Sequence, residues 1–306
     1  MIKNKISNFY NSIKSSQNPI RFFISKVFVK LPFLFKFLYF KRRNYKLRFS
    51  SSAITASMFV NGENNEYDNF AIDEDILFHL MENNKQFIDI GANIGHLSIF
   101  LKKNFHGINS LAIEANPKTF NILRDNIILN KLNIHTICCA ITHRDNELIK
   151  FQDSFSDDGN SVISEKMEKL NPDDDFYLVN SQKTLEIKTK TLDSLLNEYS
   201  NHNKIRLIKV DTEGYELFVF KGGTKTLKKT EMIYFECWDK LFKKYDYTSE
   251  DIFNFLNLIG FEIYKVNEKI IKNYGFNKKC LEPIKVNNLK DNQNLLAINK
   301  NLIKNF

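Results

Sequence analysis

Hydrophobic positions along the 306 residues fall into two rhythms that alternate. Between Ala71 and Asn84, apolar side chains recur at Ile72, Ile76, Leu77 and Leu80, the spacing of one helix face, with acids in the first turn. Near-continuous apolar runs at Gln86 to Ile90, Ser110 to Glu114 and Ile134 to Ile141 have the length of strands. Helical spacing separates them over Ile94 to Lys103 and Pro117 to Leu129; proline opens the second helix, and Asn116 is its expected cap. Strands without a polar face, alternating with helices, predict a parallel sheet covered on both sides.

The rhythm resumes with strand Thr184 to Thr189, helix Leu192 to Tyr199, strand Ile205 to Val210, helix Tyr215 to Leu227 and strand Met232 to Glu236. A helix at Ser249 to Leu258 and strands at Phe261 to Val266 and Asn294 to Asn299 complete it. In Leu192 to Tyr199, Asp193 reads as a first-turn acid and Thr191 as the cap. Residues 152–185 interrupt the pattern. They are acidic, rich in Ser and Asn and turn-prone, and they read as an insertion or lid, with Asp158, Gly159, Asn160 and Ser161 either closing over a ligand or forming a solvated loop. The expected organisation is a basic arm and entry segment over residues 1–67 and one α/β domain over residues 68–306.

Charge sets the arm apart. Residues 1–50 hold twelve Lys or Arg and no Asp or Glu, whereas the whole chain nets only +8, so the remainder is mildly acidic. Such an arm favours a polyanion or an anionic membrane surface. Its apolar stretch, Ile20 to Phe40, is interrupted by Lys26, Lys30 and Lys36 and broken by Pro32, which argues against a spanning helix, and it lacks the form of a signal peptide. Two readings fit: a segment lying in a bilayer interface with its lysines reaching the headgroups, or a helical arm packing its Phe face on the body. Four cysteines, Cys138, Cys139, Cys237 and Cys280, show no C-x-x-C spacing and read as reduced core residues of a cytoplasmic protein, with peripheral contact at the inner face of the membrane if the first reading holds.

The chemistry starts at "FIDIGANIGHLSIF", residues Phe87 to Phe100. Gly91 and Gly95 fall in the loop after the first strand, where open parallel sheets bind ligands, and the following helix points amide hydrogens at the occupant. Glu114 ends the next strand 23 residues beyond Gly91, where an acid accepts hydrogen bonds from ribose hydroxyls. Asn93 replaces the second glycine of a dinucleotide loop, and Asp89 adds a negative charge that opposes pyrophosphate and suits the ammonium group of a methionine moiety. The loop therefore reads as a site for S-adenosylmethionine, formed by Asp89, Gly91, Ala92, Asn93 and Gly95, with Glu114, Ala115 and Asn116 at the nucleoside end. A turn-forming glycine pair with a capping Asp is the simpler alternative.

Together "FIDIGANIGHLSIF", "LAIEANPKTFNIL", "LIKVDTEGYELFVFKGG" and "IYFECW" resemble the FkbM-type family of class I S-adenosylmethionine-dependent methyltransferases, from about Asp68 to Val266. The resemblance implies a Rossmann-like, seven-stranded, mostly parallel sheet with helices on both faces. It also implies S-adenosylmethionine as donor and, most often, O-methylation of a sugar or natural-product hydroxyl. The family pattern carries over to Asp89, Gly91, Asn93 and Gly95, to Glu114, and to Asp211, Glu213 and Gly214 after the fourth strand. Thr212 and Tyr215 stand where small aliphatic residues are expected.

Methyl transfer from a sulfonium asks the protein mainly to align a nucleophile and manage its proton. Asp211 or Glu213 can serve as that base, position the acceptor, share a divalent cation, or simply cap the next helix and fix the turn. A metal is not the expectation. His143, after the third strand, is an alternative base, and Trp238, near the end of the fifth, either stacks on a sugar ring or packs in the core. The expected partner is a saccharide or small-molecule acceptor, such as a surface glycan or lipid-linked sugar. A nucleic-acid methyltransferase would use the basic arm, but "DTEG" lacks the prolines and aromatic of adenine-amino enzymes and no Pro-Cys follows the fourth strand, so nucleic acid is disfavoured. A binding protein that holds a nucleoside without turnover is the third reading.

Overall fold

In the computed structural model, the described residues are 18–29, 31, 37–49, 55, 58–60, 69–152, 162–163, 184–199, 204–285, 289 and 292–303. The apolar runs become the central strands β3 (Gln86–Ile90), β4 (Asn109–Glu114), β5 (His135–Cys138), β9 (Ile205–Val210) and β10 (Thr230–Cys237). They lie in the order β10-β9-β3-β4-β5, all parallel. Because β3 pairs with β4 on one side and with the much later β9 on the other, strand order reverses at the carboxyl end of β3. Beyond β10 the sheet continues through β13 (Gln293–Asn299), antiparallel to both β10 and β11 (Phe261–Val266). A three-residue edge strand, β12 (Leu281–Pro283), makes eight strands where the resemblance implies seven.

Helices α2 (Asn69–Leu80), α3 (His96–Asn104), α4 (Pro117–Leu129), α5 (Leu192–Tyr199), α6 (Glu216–Gly222), α7 (Thr224–Leu227), α8 (Asp239–Phe242), α9 (Ser249–Leu258) and α10 (Glu268–Tyr274) complete the domain. Two apolar clusters, one holding Ile88, Ile208 and Phe235 and the other Phe87, Leu207 and Tyr234, draw on alternate residues of the same strands. That is why these strands show no polar face.

The structure revises the predicted elements in three places, and of the four cysteines expected in the core it exposes Cys138. The run Ile134 to Ile141 divides at Cys139 into β5 and a two-residue strand, β6 (Ala140–Ile141). β6 leaves the main sheet and pairs with β8 (Thr184–Lys190), which also pairs with β7 (Leu148–Gln152) in a small separate sheet. The helix expected over Tyr215 to Leu227 breaks where Gly223 leaves helical backbone at φ −117°, ψ 17°, and glycine at 222 lets the chain abut the Thr142 carbonyl oxygen, 1.9 Å from where a Cβ would stand. As expected, Thr191 caps α5 by accepting from the Ser194 amide and Asp193 stands in its first turn; Asp193 also accepts from the amides of Lys225 and Thr226 and so caps α7.

The N-terminal segment is not one helical arm over its described residues. Helix α1 (Pro19–Val29) precedes a hairpin of β1 (Tyr39–Arg42) and β2 (Tyr45–Arg48), with Phe40, Tyr45 and Leu47 buried against the domain. Buried Arg42 and neighbouring Arg43 both pair with the Glu74 carboxylate of α2, at 3.0 and 2.8 Å, and the Tyr45 hydroxyl donates to the same group. These arginines are committed to the fold. Among the described residues no helix is long and apolar enough to cross a membrane. Asp158, Gly159, Asn160 and Ser161 lie outside the described residues, as does most of 152–185.

Candidate active site

A cavity of about 230 Å³ opens beyond the carboxyl ends of β3, β4 and β9, at the point where strand order reverses. The glycine loop forms its floor. Gly91 sits at φ +72°, and a Cβ there would lie 1.8 Å from the Asp211 carbonyl oxygen, so the loop after β3 abuts the backbone after β9. The amides of Gly91 and Ala92 both donate to the carbonyl oxygen of Ile113 in β4. Gly95, at φ +85°, is required by packing: a Cβ would meet the Leu123 side chain of α4 at 2.3 Å. The strict helix therefore starts at His96, later than the sequence spacing suggests.

Glu114 closes this loop. Its two carboxylate oxygens accept from the amides of Asn93 and Asn116, at 2.9 and 2.8 Å, while the residue remains on the cavity wall. Burial pushes the carboxyl up to about 7, against the pull of those two amides. Asn116 caps α4 through the Lys118 amide and lies behind the wall, as does Ala92; Ala115 and Asn93 line it.

Asp89 lies outside the cavity lining. It is fully buried, takes the Ser98 hydroxyl at 2.7 Å and faces the Lys209 ammonium at 3.6 Å. Lys209 is the group that sequence reasoning missed. Its Nζ donates to the Gly91 carbonyl oxygen at 2.9 Å and lies 3.3 Å from Asp211 Oδ2. Burial opposes the charge on this lysine, but Asp211 and Asp89 outweigh burial and hold it protonated above its ordinary value. A lysine in the middle of the apolar strand "LIKV" is the signal that marked it, since a buried cation needs partners.

Across the cavity, β9 delivers Asp211, Thr212 and Glu213, and β10 delivers Glu236. Glu213 occupies the left-handed region at φ +56°, a conformation few glutamates adopt. Burial, then the neighbouring Asp211 and Glu216, push its carboxyl up to about 8. Burial, then Asp211, Glu213 and Glu216, raise Glu236 well above the ordinary range, and its Oε2 has no hydrogen-bond partner among the described residues. Glu216 is not on the cavity wall; it folds the turn, accepting from the Thr212 amide at 2.7 Å, from the Thr212 hydroxyl at 3.0 Å and from the Gly214 amide at 3.4 Å. Among the described residues, no group of three or more His, Cys, Asp or Glu side chains is arranged to hold a metal ion.

The remaining wall is apolar or aromatic. Phe151 of β7 and Val162 of the insertion both line it, and Val162 is tied down by the Tyr245 hydroxyl at 2.6 Å. Tyr215 lines it as well, stacked on Phe218 at 4.4 Å. His143 packs against Phe218, away from the cavity, and Trp238 packs against the core. His96, unremarked in the sequence, lies between this cavity and a side pocket of about 50 Å³ that also includes Asp73, Tyr234 and Asn294. The imidazole is 8% exposed, stands edge-on to Phe70 at 5.4 Å, and has no hydrogen-bond partner on either nitrogen among the described residues. Burial, followed by the charges of Lys209 and Arg42, keeps it neutral, well below its ordinary value.

Residues 89–276 match the model of the methyltransferase FkbM domain, well over half of the chain. The chain belongs to the FkbM methyltransferase family. Members of this family draw their methyl group from S-adenosylmethionine, and the cavity meets the requirement of a sulfonium nucleoside: an acid at the end of β4, a cradle too tight for any side chain at Gly91, and carboxyl groups facing the remainder. Two relatives among curated proteins are Methyltransferase 1 of Beauveria bassiana, 25% identical over 44% of this chain and 57% of its own length, and Methyltransferase sdnD of Sordaria araneosa, 25% identical over 46% and 61%. The aligned region thus spans about three fifths of each relative. Solved structures with a similar trace include an O-methyltransferase from Bacillus cereus, in complex with S-adenosylhomocysteine, at 15% identity, TM-score 0.39, and coverage of 77% of this chain and 83% of that one. A precorrin-6y methyltransferase from Geobacter metallireducens aligns at 11% identity, TM-score 0.37, over 76% and 89%.

Proposed function

We propose that this FkbM-family chain transfers a methyl group from S-adenosylmethionine to a hydroxyl of a saccharide or similar polyhydroxylated natural product. The observation that carries the reading is the acidic lining of the cavity: among the described residues four carboxyl groups, Glu114, Asp211, Glu213 and Glu236, stand against one ammonium, Lys209, and the raised values of Glu114, Glu213 and Glu236 mark a site that a cationic ligand would relieve by drawing protons off them. Such a wall favours a ligand bearing a sulfonium and an ammonium over one bearing linked phosphates. Gly91, Asn93, Glu114 and Ala115 would hold the nucleoside end. When bound, S-adenosylmethionine supplies an already activated methyl carbon, so no Lewis acid or covalent enzyme intermediate is needed for leaving-group departure.

What remains for the protein is the proton of a weakly acidic hydroxyl. Glu213 is the base in this reading: it lines the cavity, its backbone is fixed by the Glu216-braced turn, and its carboxyl, pushed up to about 8 by burial and its acidic neighbours, is a stronger base than an ordinary glutamate. Asp211 is oriented by Lys209 and positions the acceptor. Glu236 retains its proton and can donate to an acceptor oxygen. The stacked Tyr215 and Phe218 place an aromatic surface beside the base, of the kind that packs against a sugar ring. Incubation with methyl-labelled donor and fractionated glycans of the source cells tests this: the label should appear as a methyl ether, and Glu213→Gln should abolish it. Label on nitrogen, or undiminished transfer by the variant, would refute the reading.

A further inference from the structure

We infer that the chain docks peripherally on an anionic bilayer through the outer face of α1. On this helix Ile20, Phe23 and Val27 follow the spacing of one face, and they are 73%, 49% and 37% exposed. The opposite side is turned to the body: Ser25 is buried, and the Arg21 guanidinium donates to the Phe59 carbonyl oxygen at 3.3 Å while covering the Phe59 ring. Further along, Leu31, Phe37 and Tyr39 also expose much of their apolar surface. So many large apolar side chains with much of their surface in solvent along one short segment mark an interaction surface.

Charge decides which partner. Residues 1–30 contain Lys3, Lys5, Lys14, Arg21, Lys26 and Lys30 and no acidic residue. In the sequence, lysines flank and interrupt this apolar helix with no acid among them, a pattern that matches an anionic headgroup layer over hydrocarbon, where apolar side chains insert and cations stay at the phosphates. A nucleic acid would meet the charge but offer nothing to the stripe. α1 is eleven residues long, far too short to span a bilayer, so it lies in the interface. Arg42 and Arg43 take no part, being paired with Glu74 in the fold.

The experiment is co-sedimentation of the full chain with vesicles of equal parts phosphatidylcholine and phosphatidylglycerol, and with vesicles of phosphatidylcholine alone. Binding to the anionic vesicles only is expected, falling about tenfold or more in Ile20→Glu/Val27→Glu at unchanged melting temperature. A second variant, Val27→Trp, should gain fluorescence on those vesicles that brominated acyl chains quench; it keeps the test decisive if the double variant does not fold. No binding to anionic vesicles, equal binding by the folded double variant, or retention of single-stranded RNA with no vesicle binding would overturn the inference.

Discussion

The Lys209 ammonium lies 3.3 Å from the Asp211 carboxylate and, on its other side, 3.6 Å from Asp89, while donating to the Gly91 carbonyl oxygen. One side chain thus ties the acid beneath the glycine loop, the loop itself and the acid at the end of β9 into a unit. Replacing it by methionine would leave Asp89 buried without its cation, a loss that typically costs about 3 kcal/mol. Lys209→Met should therefore show a lowered denaturant midpoint, together with donor affinity reduced by about tenfold or more in calorimetry. Unchanged stability would show that the lysine is not needed to neutralise Asp89.

Gly91→Ala tests the cradle. The new methyl would enter the Asp211 carbonyl oxygen, and backbone cannot yield as a flexible side chain does. With φ +72° adding strain, a stability loss of about 3 kcal/mol and loss of donor binding are expected, measurable by thermal unfolding with and without donor.

A base that titrates near pH 8 predicts the form of the rate profile. Below that pH Glu213 holds its proton and cannot accept another, so kcat/KM should rise through about 8 and then level. Glu213→Asp should retain a rising limb at lower activity, whereas Glu213→Gln should lose both the limb and most of the rate.

Stability should run the opposite way. Glu114 and Glu216 are pushed up to about 7 and Glu213 to about 8, against an ordinary glutamate value of 4.5. Between these values the folded chain holds protons that the unfolded chain has released. The stability they contribute is complete below 4.5 and is lost as pH rises through 7 and 8. Urea midpoints measured from about pH 5 to about pH 9 should fall, and the fall should flatten in Glu213→Gln.

His96→Phe separates site from scaffold. The imidazole makes no hydrogen bond among the described residues, so an apolar ring of similar shape against Phe70 should cost less than about 1 kcal/mol. If His96 contacts the acceptor or donor, KM for that ligand should rise while the melting temperature holds.

Much of this site could be read from spacing. Gly91 and Glu114 occupy the positions that an open parallel sheet reserves for a nucleoside, and Asn116 announced the helix it caps. Depth was harder to read. Asp89, one residue before the strand's end, points behind the loop, and period-two alternation cannot tell which face of a fully buried strand meets the ligand. His96 carries no signal in the sequence, because its significance comes from Phe70 and Lys209, distant along the chain. The hairpin of β1 and β2 was hidden by its charges. Its signal was present in the alternation of Phe40 and Arg42 and of Tyr45 and Leu47 about the Arg43-Asn44 turn, but only the buried acid Glu74 makes an inward Arg42 tolerable.

The claim on which the account depends is that the acid-walled cavity at the ends of β3, β4 and β9 receives a sulfonium nucleoside. Calorimetric titration of S-adenosylmethionine, S-adenosylhomocysteine and a nicotinamide dinucleotide into the wild-type chain and Glu114→Ala tests it most directly. The account predicts binding of the first two, weakened about tenfold or more by the substitution, and none of the third. Uptake of the dinucleotide with no response to either sulfur compound would contradict it.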